Sequence, residues 1–128
     1  MRSVYLAAAL AFATLTTGVA SAHPKLVAAS PAANAAGSAP SRIELRFSER
    51  LMSRFTGADL VMTGMPGMND HPPMKVASNA VVDPGGHTLV VTPARALPRG
   101  TYRVDWHVVS ADTHRITGTH ALDRKSVV

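Results

Sequence analysis

The sequence contains no cysteine. Disulfide staples are therefore excluded, and so is any metal site built on thiolates. Aromatic residues are scarce, with one Trp, two Tyr and three Phe among 128 residues. A membrane-spanning run is also absent, because the longest apolar run, residues 4–15, holds only about 12 residues and a spanning helix needs roughly 20.

The first residues have the pattern of a secretory signal peptide. A basic residue comes first, the apolar run over residues 4–15 follows, and residues 20–22 (ASA) form a small-x-small cleavage pattern. We therefore expect a signal peptide over residues 1–22 that is cleaved before His23. An uncleaved anchor is the alternative interpretation. Removal of the signal peptide leaves one domain over residues 23–128, which is 128 − 22 = 106 residues and long enough for one modest core.

The chain is basic, with a formal net charge of +5. Such a balance can indicate a nucleic-acid or anionic membrane partner. The arginines are scattered, however, and those at positions 42, 46, 50 and 54 begin within a segment that alternates like a strand. We interpret them as solvated faces and predict no nucleic-acid binding.

Alternating apolar residues and turn residues dominate the segment after residue 22, and helical periodicity is weak. Residues 83–86 (DPGG) predict the turn of a hairpin. Such a pattern is typical of an all-β fold, an antiparallel sandwich or a Greek-key barrel with about seven strands. The predicted strands cover residues 25–30, 42–48, 58–63, 75–82, 88–92, 101–110 and 113–122. The predicted core faces are Ile43, Leu45 and Phe47 on one strand and Tyr102, Val104, Trp106 and Val108 on another.

Four methionines and a histidine fall close together in a segment broken by Gly and Pro: Met62, Met65, Met68, His71 and Met74. Thioether sulfur is a soft ligand that selects Cu(I), and a flexible loop can wrap several such donors around one ion. We therefore predict a Cu(I) site here. Core packing is the alternative for Met62, which lies in a strand pattern, and a sticky partner surface is the alternative for exposed methionines.

Cleavage before His23 would place a free α-amine and an imidazole Nδ1 on one residue, and the two close a chelate ring around a metal. Nitrogen donors of this kind suit Cu(II). Pro24 has no backbone N–H to offer, so further ligands must come from the fold. Asp112 and His114 are candidates, because residues i and i+2 of an extended chain point to the same side. Alternatively Asp112 makes a turn and His114 lies on the surface.

The remaining histidines, His87, His107 and His120, carry less information. His107 falls on the polar side of a predicted strand, His87 follows a turn, and His120 is close to the C-terminus. We expect all three to be surface residues.

Taken together, these segments resemble the CopC-type family of periplasmic copper-resistance proteins. The resemblance covers nearly all of residues 23–119. The matching segments are residues 23–24 (HP), 45–49 (LRFSE), 62–68 (MTGMPGM), 71–75 (HPPMK), 97–106 (LPRGTYRVDW) and 109–114 (VSADTH).

The resemblance implies a seven-stranded, cupredoxin-like Greek-key β-barrel with two copper sites at opposite ends. The Cu(II) site would use His23, His114 and Asp112, with Glu49 as an outer or weak ligand. The Cu(I) site would use Met62, Met65, Met68, His71 and Met74. It also implies copper tolerance and copper delivery or uptake, with a partner such as a CopD-type inner-membrane copper transporter or another periplasmic copper protein.

One segment departs from the family pattern. After Gly118-Thr119 the family has an alternating apolar strand, whereas this chain runs HALDRKSVV over residues 120–128. The charged residues at 123–125 break the alternation. We therefore expect the closing strand to be short, frayed or altered.

Our leading hypothesis is a periplasmic copper carrier that catalyses nothing. A copper enzyme with a histidine brace is the first alternative, but such enzymes need a flat aromatic binding face that this sequence does not supply. A plain immunoglobulin-like interaction module is the second alternative. It accounts for the strands but leaves the methionine segment and the position of His23 unexplained.

Overall fold

A computed structural model describes residues 23–33, 40–65, 67 and 72–124. These residues form eight β-strands and one 3₁₀ turn, Ser53–Phe55. The strands are β1 (Leu26–Ser30), β2 (Ile43–Phe47), β3 (Gly57–Gly64), β4 (Met74–Val76), β5 (Ser78–Val82), β6 (Thr88–Pro93), β7 (Gly100–Val109) and β8 (Arg115–Arg124). No helix among the described residues is long and apolar enough to cross a membrane.

The strands form two antiparallel four-stranded sheets, in the orders β1-β2-β6-β5 and β4-β3-β7-β8. The all-β prediction is confirmed, but the described residues give eight strands in two separate sheets and not seven strands in one closed barrel. The additional strand comes from the segment predicted as a single strand over residues 75–82. It divides at Ala77, so that β4 pairs with β3 in one sheet and β5 pairs with β6 in the other.

The two sheets enclose one core, to which both predicted apolar faces contribute. Ile43, Leu45 and Phe47 of β2 are buried, and so are the four alternating residues of β7 from Tyr102 to Val108. The Phe47 and Trp106 rings meet edge to face, with centroids 5.0 Å apart. Burial of each such side chain contributes about 1.5–3 kcal/mol, so this shared core is what holds the sheets together.

The predicted hairpin joins β5 to β6. Asp83 N–H donates to Thr88 O at 2.9 Å, and Gly86 N–H donates to Asp83 O at 3.0 Å. Gly86 has φ +82°, a conformation that glycine adopts without strain. The hairpin turn predicted from residues 83–86 is therefore confirmed.

Over the described residues the closing strand pairs along its full length, so the expectation of a short or frayed strand is wrong. β8 pairs with β7 along ten registered positions, from Val109↔Arg115 to Gly100↔Arg124. Its core-facing positions are Ile116, Gly118, His120 and Leu122. Burial alternates along the strand, although a glycine and a histidine occupy two of the four core-facing positions.

The expectation that His120 is a surface residue is also wrong. Its exposed fraction is 5%, and its Nε2 lies 2.9 Å from the Pro31 carbonyl oxygen. A buried imidazole needs such a partner, because an unpaired polar group in a core costs about 1–3 kcal/mol. His87 and His107 are half-buried.

Candidate metal centres

The turn between β7 and β8 carries Asp112 and His114. Thr113, between them, has φ +69°. A β-branched residue is uncommon in this left-handed region, where strain amounts to about 1–3 kcal/mol. The conformation is held by a hydrogen bond of 2.9 Å from Thr113 N–H to Ser110 O. The chain at this turn is therefore bent into one defined shape, and that shape fixes how its two polar side chains meet.

Asp112 and His114 contact each other directly. Asp112 Oδ2 lies 2.8 Å from His114 Nδ1, while Asp112 Oδ1 accepts from the buried Ser110 hydroxyl and, at 3.3 Å, from the His114 backbone N–H. The hydrogen bond from Ser110, followed by that from His114, lowers the pKa of Asp112 from 3.8 to about 2. The carboxylate is therefore ionised at neutral pH and holds the imidazole by Nδ1.

This contact leaves His114 Nε2 without a hydrogen-bond partner among the described residues. A carboxylate on one imidazole nitrogen is the usual companion of a metal on the other, since it fixes the tautomer and the ring orientation. In this arrangement Asp112 supports His114. The i, i+2 spacing alone would suggest a carboxylate that is free to bind a metal, but this carboxylate already bonds His114 and Ser110.

His23 comes from the opposite part of the chain and lies beside His114. Their ring centroids are 4.7 Å apart and the rings are tilted by 44°. The segment is anchored two residues later, where Lys25 N–H donates to Ser48 Oγ at 2.9 Å and Ser48 N–H donates to Lys25 O at 2.8 Å. The fold thus brings together the two histidines that the sequence nominated.

Glu49, the fourth candidate at this end, is half-buried. It follows Ser48 directly, but it makes no hydrogen bond or ion pair with the other candidates in the part of the chain that the structure describes. Within that part, no three His, Asp or Glu side chains are arranged to hold a metal ion. The site as it stands is a pair of imidazoles with one supporting carboxylate.

The methionine candidates lie near the other end of β7. Met62 and Met74 are directly opposite each other on β3 and β4, and Met62 is also paired with Tyr102. Met62 is a core residue with an exposed fraction of 7%, whereas Met74 is 55% exposed. Met65 is half-buried. The structure therefore offers Met74 to solvent and packs Met62 inside, as the core alternative predicted for Met62.

Met68 and His71, the remaining candidates of this set, lie outside the described residues. From Tyr102 in β7 to Ser110, the residue that follows β7, the chain runs for eight residue steps, roughly 26 Å at 3.3 Å per residue. The histidine pair and the described methionine candidates, Met62, Met65 and Met74, therefore occupy opposite ends of the molecule.

Two serines that support the histidine site were not predicted from the sequence. Ser110 is buried and bonds Asp112, and Ser48 anchors the segment that carries His23. A serine at the end of the predicted strand over residues 101–110 was the available signal for Ser110. Nothing in the local sequence distinguishes Ser48 from an ordinary surface serine.

Comparison with known proteins identifies the family. The family model described as the CopC domain matches residues 26–123. Copper resistance protein C of Pseudomonas syringae pv. tomato is 55% identical over 107 residues, which are 82% of this chain and 82% of the relative. Copper resistance protein C of Xanthomonas campestris pv. juglandis is 48% identical over 124 residues, 97% of each chain.

A solved structure is similar to this chain in both fold and sequence. The crystal structure of PcoC, a methionine-rich copper resistance protein from Escherichia coli, matches with a TM-score of 0.75 and 46% identity, covering 81% of this chain and 100% of that one. The molecule is thus a two-sheet β-protein with paired histidines at one end and the candidate methionines Met62, Met65 and Met74 near the other. The chain belongs to the CopC family.

Proposed function

We propose that the chain is a copper-binding carrier of the periplasm that contributes to copper resistance and catalyses nothing. The observation that supports this most directly is the His23–His114 pair, with ring centroids 4.7 Å apart and Asp112 on His114 Nδ1. Two neighbouring imidazoles suit a Cu(II) ion, which prefers nitrogen and oxygen donors. The relatives named copper resistance proteins support the same metal.

In this proposal residues 1–22 are a signal peptide, and cleavage before His23 frees its α-amine. The Cu(II) ligands are the amine and imidazole of His23 and the Nε2 atom of His114. Asp112 orients His114 or moves onto the ion, and Glu49 approaches as an outer ligand.

Cu(I) binds at the methionine end, where soft thioethers favour it. Met74, the most exposed of the described methionines, is the point of entry, and Met62, Met65, Met68 and His71 complete the set. Sites of different softness at opposite ends let the oxidation state of copper decide where it binds. The recipient is a membrane copper transporter of the CopD type or another periplasmic copper protein.

The test begins with protein produced from the full gene and purified from the periplasm, with its N-terminus determined by mass spectrometry. Cu(II) is titrated in air and counted by electron paramagnetic resonance. Cu(I) is titrated without oxygen, and X-ray absorption reports its neighbours. We expect one Cu(II) with nitrogen and oxygen ligands and one Cu(I) with sulfur ligands.

Two variants make the test specific. A Gly residue inserted between Ala22 and His23, with cleavage verified, separates the amine from the imidazole and should abolish tight Cu(II) binding, as should His114→Ala. The matched control is His87→Ala, which removes a histidine that bonds Gly85 O at 3.1 Å. Failure to bind either ion would overturn the proposal, and polysaccharide oxidation by the copper-loaded protein would favour an enzyme instead.

A further inference from the structure

A second surface near the histidine end is not accounted for by metal binding. A shallow cavity of about 580 Å³ opens where the 3₁₀ turn Ser53–Phe55 meets the end of β7 and the start of β8. We call it the basic cleft and define it by six of its lining residues: Met52, Arg54, Phe55, His107, Val109 and Arg115.

The apolar part of the basic cleft is an aromatic ring on a fixed turn. Phe55 is 52% exposed, and the turn that carries it contributes no residue to the core. Met52 N–H donates to Val109 O at 2.7 Å, Phe55 N–H donates to Met52 O at 3.1 Å, and Val109 N–H donates to Thr56 Oγ1 at 3.2 Å. The backbone that carries Phe55 is thus fixed while its ring lies outside the core, and an exposed aromatic side chain on a fixed backbone is a favourable anchor for a partner.

The charged part of the cleft is positive. Arg54 and Arg115 are exposed, and neither makes an ion pair with any residue that the structure describes. No Asp or Glu occurs among the described residues that line the cleft. By contrast, Arg103 on the same sheet already bonds Asp105, at 2.5 Å.

Phe, Met and Arg are the residue types enriched at the centres of protein interfaces. We propose that the basic cleft docks an acidic segment of a partner protein, with one apolar side chain of that segment against Phe55 and Met52 and its carboxylates on Arg54 and Arg115. Thr113 also lines the cleft, and His114 lies between Thr113 and Arg115 in the chain. Docking here places the partner beside the histidine pair. This inference rests on the proposed function in one respect: the partner is taken to be a donor or acceptor of copper.

The test uses copper-free protein and a defined probe, a short acetylated and amidated peptide with one Phe flanked by Glu residues. Amide chemical shifts are followed by NMR during titration. We expect saturable shifts centred on Phe55, His107 and Arg115. Binding should weaken about tenfold in Arg54→Gln/Arg115→Gln, as expected for two exposed ion pairs, and similarly in Phe55→Ser. The matched control, Arg95→Gln/Arg99→Gln, removes two exposed arginines outside the cleft and should bind like the parent.

Control peptides decide between occupants. A peptide with Gln in place of Glu, or Ser in place of Phe, should bind at least several-fold more weakly. Equal binding of the Ser peptide would reduce the cleft to an anion site and overturn the proposal. Shifts at the same residues that depend on protein concentration alone would show that a second copy covers the cleft, which also overturns it, as would the absence of localised shifts. Because no copper is present, these outcomes are read independently of whether the protein binds copper.

Discussion

Asp112 Oδ2 lies 2.8 Å from His114 Nδ1, and this contact determines which nitrogen of the ring is available to a metal. A carboxylate is an acceptor, so it favours the tautomer with the proton on Nδ1 and leaves the lone pair on Nε2. The Ser110 hydroxyl holds the other carboxylate oxygen. A short relay from a buried serine therefore prepares His114 on a turn that is otherwise exposed.

Replacing the carboxylate by an amide should weaken Cu(II) binding. In Asp112→Asn the shape is kept, but the charge is lost and the amide NH₂ can favour the wrong tautomer of His114. Partners of this kind typically contribute a 10–100-fold change in metal affinity, and we expect a loss in that range by competition titration with a chelator. Asp59→Asn is the control, since it removes an exposed carboxylate that pairs with Lys75 at 3.3 Å. Equal affinity in Asp112→Asn and the parent would show that the relay has no role.

The same relay predicts the acid titration of Asp112. Its pKa in the folded protein is about 2, below the usual 3.8, so its stabilising contribution is complete above pH 3.8 and is lost as the pH falls through about 2. Ser110→Ala removes the largest cause, so the pKa should rise toward 3.8 and the contribution should shrink. The measurement is an NMR titration of the Asp112 carboxyl carbon in metal-free protein. Ser48→Ala should leave that titration unchanged, and an unchanged Asp112 pKa in Ser110→Ala would contradict the assignment.

The two paired methionines should both contribute to Cu(I) binding, but only Met62 should contribute to stability. Met62→Ala removes a buried side chain and should lower the free energy of unfolding by about 2–5 kcal/mol. Met74→Ala changes a side chain that is 55% exposed and should alter stability by less than about 0.5 kcal/mol while weakening Cu(I) binding. Urea denaturation and anaerobic Cu(I) competition measure the two effects. Loss of Cu(I) affinity in Met62→Ala alone would place the metal in the core.

Alternation along the chain was sufficient to predict most of the strands, because it reports which face of a strand is buried. It does not report which sheet a strand joins. Residues 75–82 alternate almost continuously, so nothing local reveals that the chain leaves one sheet for the other at Ala77. That change depends on pairing with β3 on one side and β6 on the other, which belong to different sheets.

The site was predictable to a similar degree. The residue types of His23 and His114 nominated them, and the fold places their rings together. The hydrogen bond between Asp112 and His114 depends on the left-handed conformation of Thr113. A threonine rarely adopts that conformation, so the sequence does not predict it. His120 was misread because a polar type near a charged terminus suggests exposure, whereas its partner, Pro31 O, comes from the other end of the domain.

His120 should matter for stability and not for copper. His120→Ala removes a buried ring and leaves the Pro31 carbonyl without that donor, so we expect a loss of about 1–3 kcal/mol in the free energy of unfolding. Cu(II) affinity should equal that of the parent. His87→Ala, at a half-buried turn position, is the comparison and should lose less. A copper affinity that falls with His120→Ala in folded protein would mean that this histidine acts on the metal site.

Gly118 permits the closing strand to lie against the tryptophan. A Cβ atom at this position would lie 2.2 Å from Trp106 Cζ2 and 2.7 Å from Cε2, distances that no side chain tolerates without movement of the indole. Trp106 is the register partner of Gly118 and packs on Phe47, so the ring cannot move without disturbing both sheets. We expect Gly118→Ala to destabilise the protein by about 1–3 kcal/mol, the range for overpacking a core, measured by urea denaturation with Trp106 fluorescence as the readout. Thr119→Ala, an exposed neighbour on the same strand, should change stability by less than about 0.5 kcal/mol. A neutral Gly118→Ala would show that β8 can shift away from the indole, and the complete β7–β8 register would then not be required for the fold.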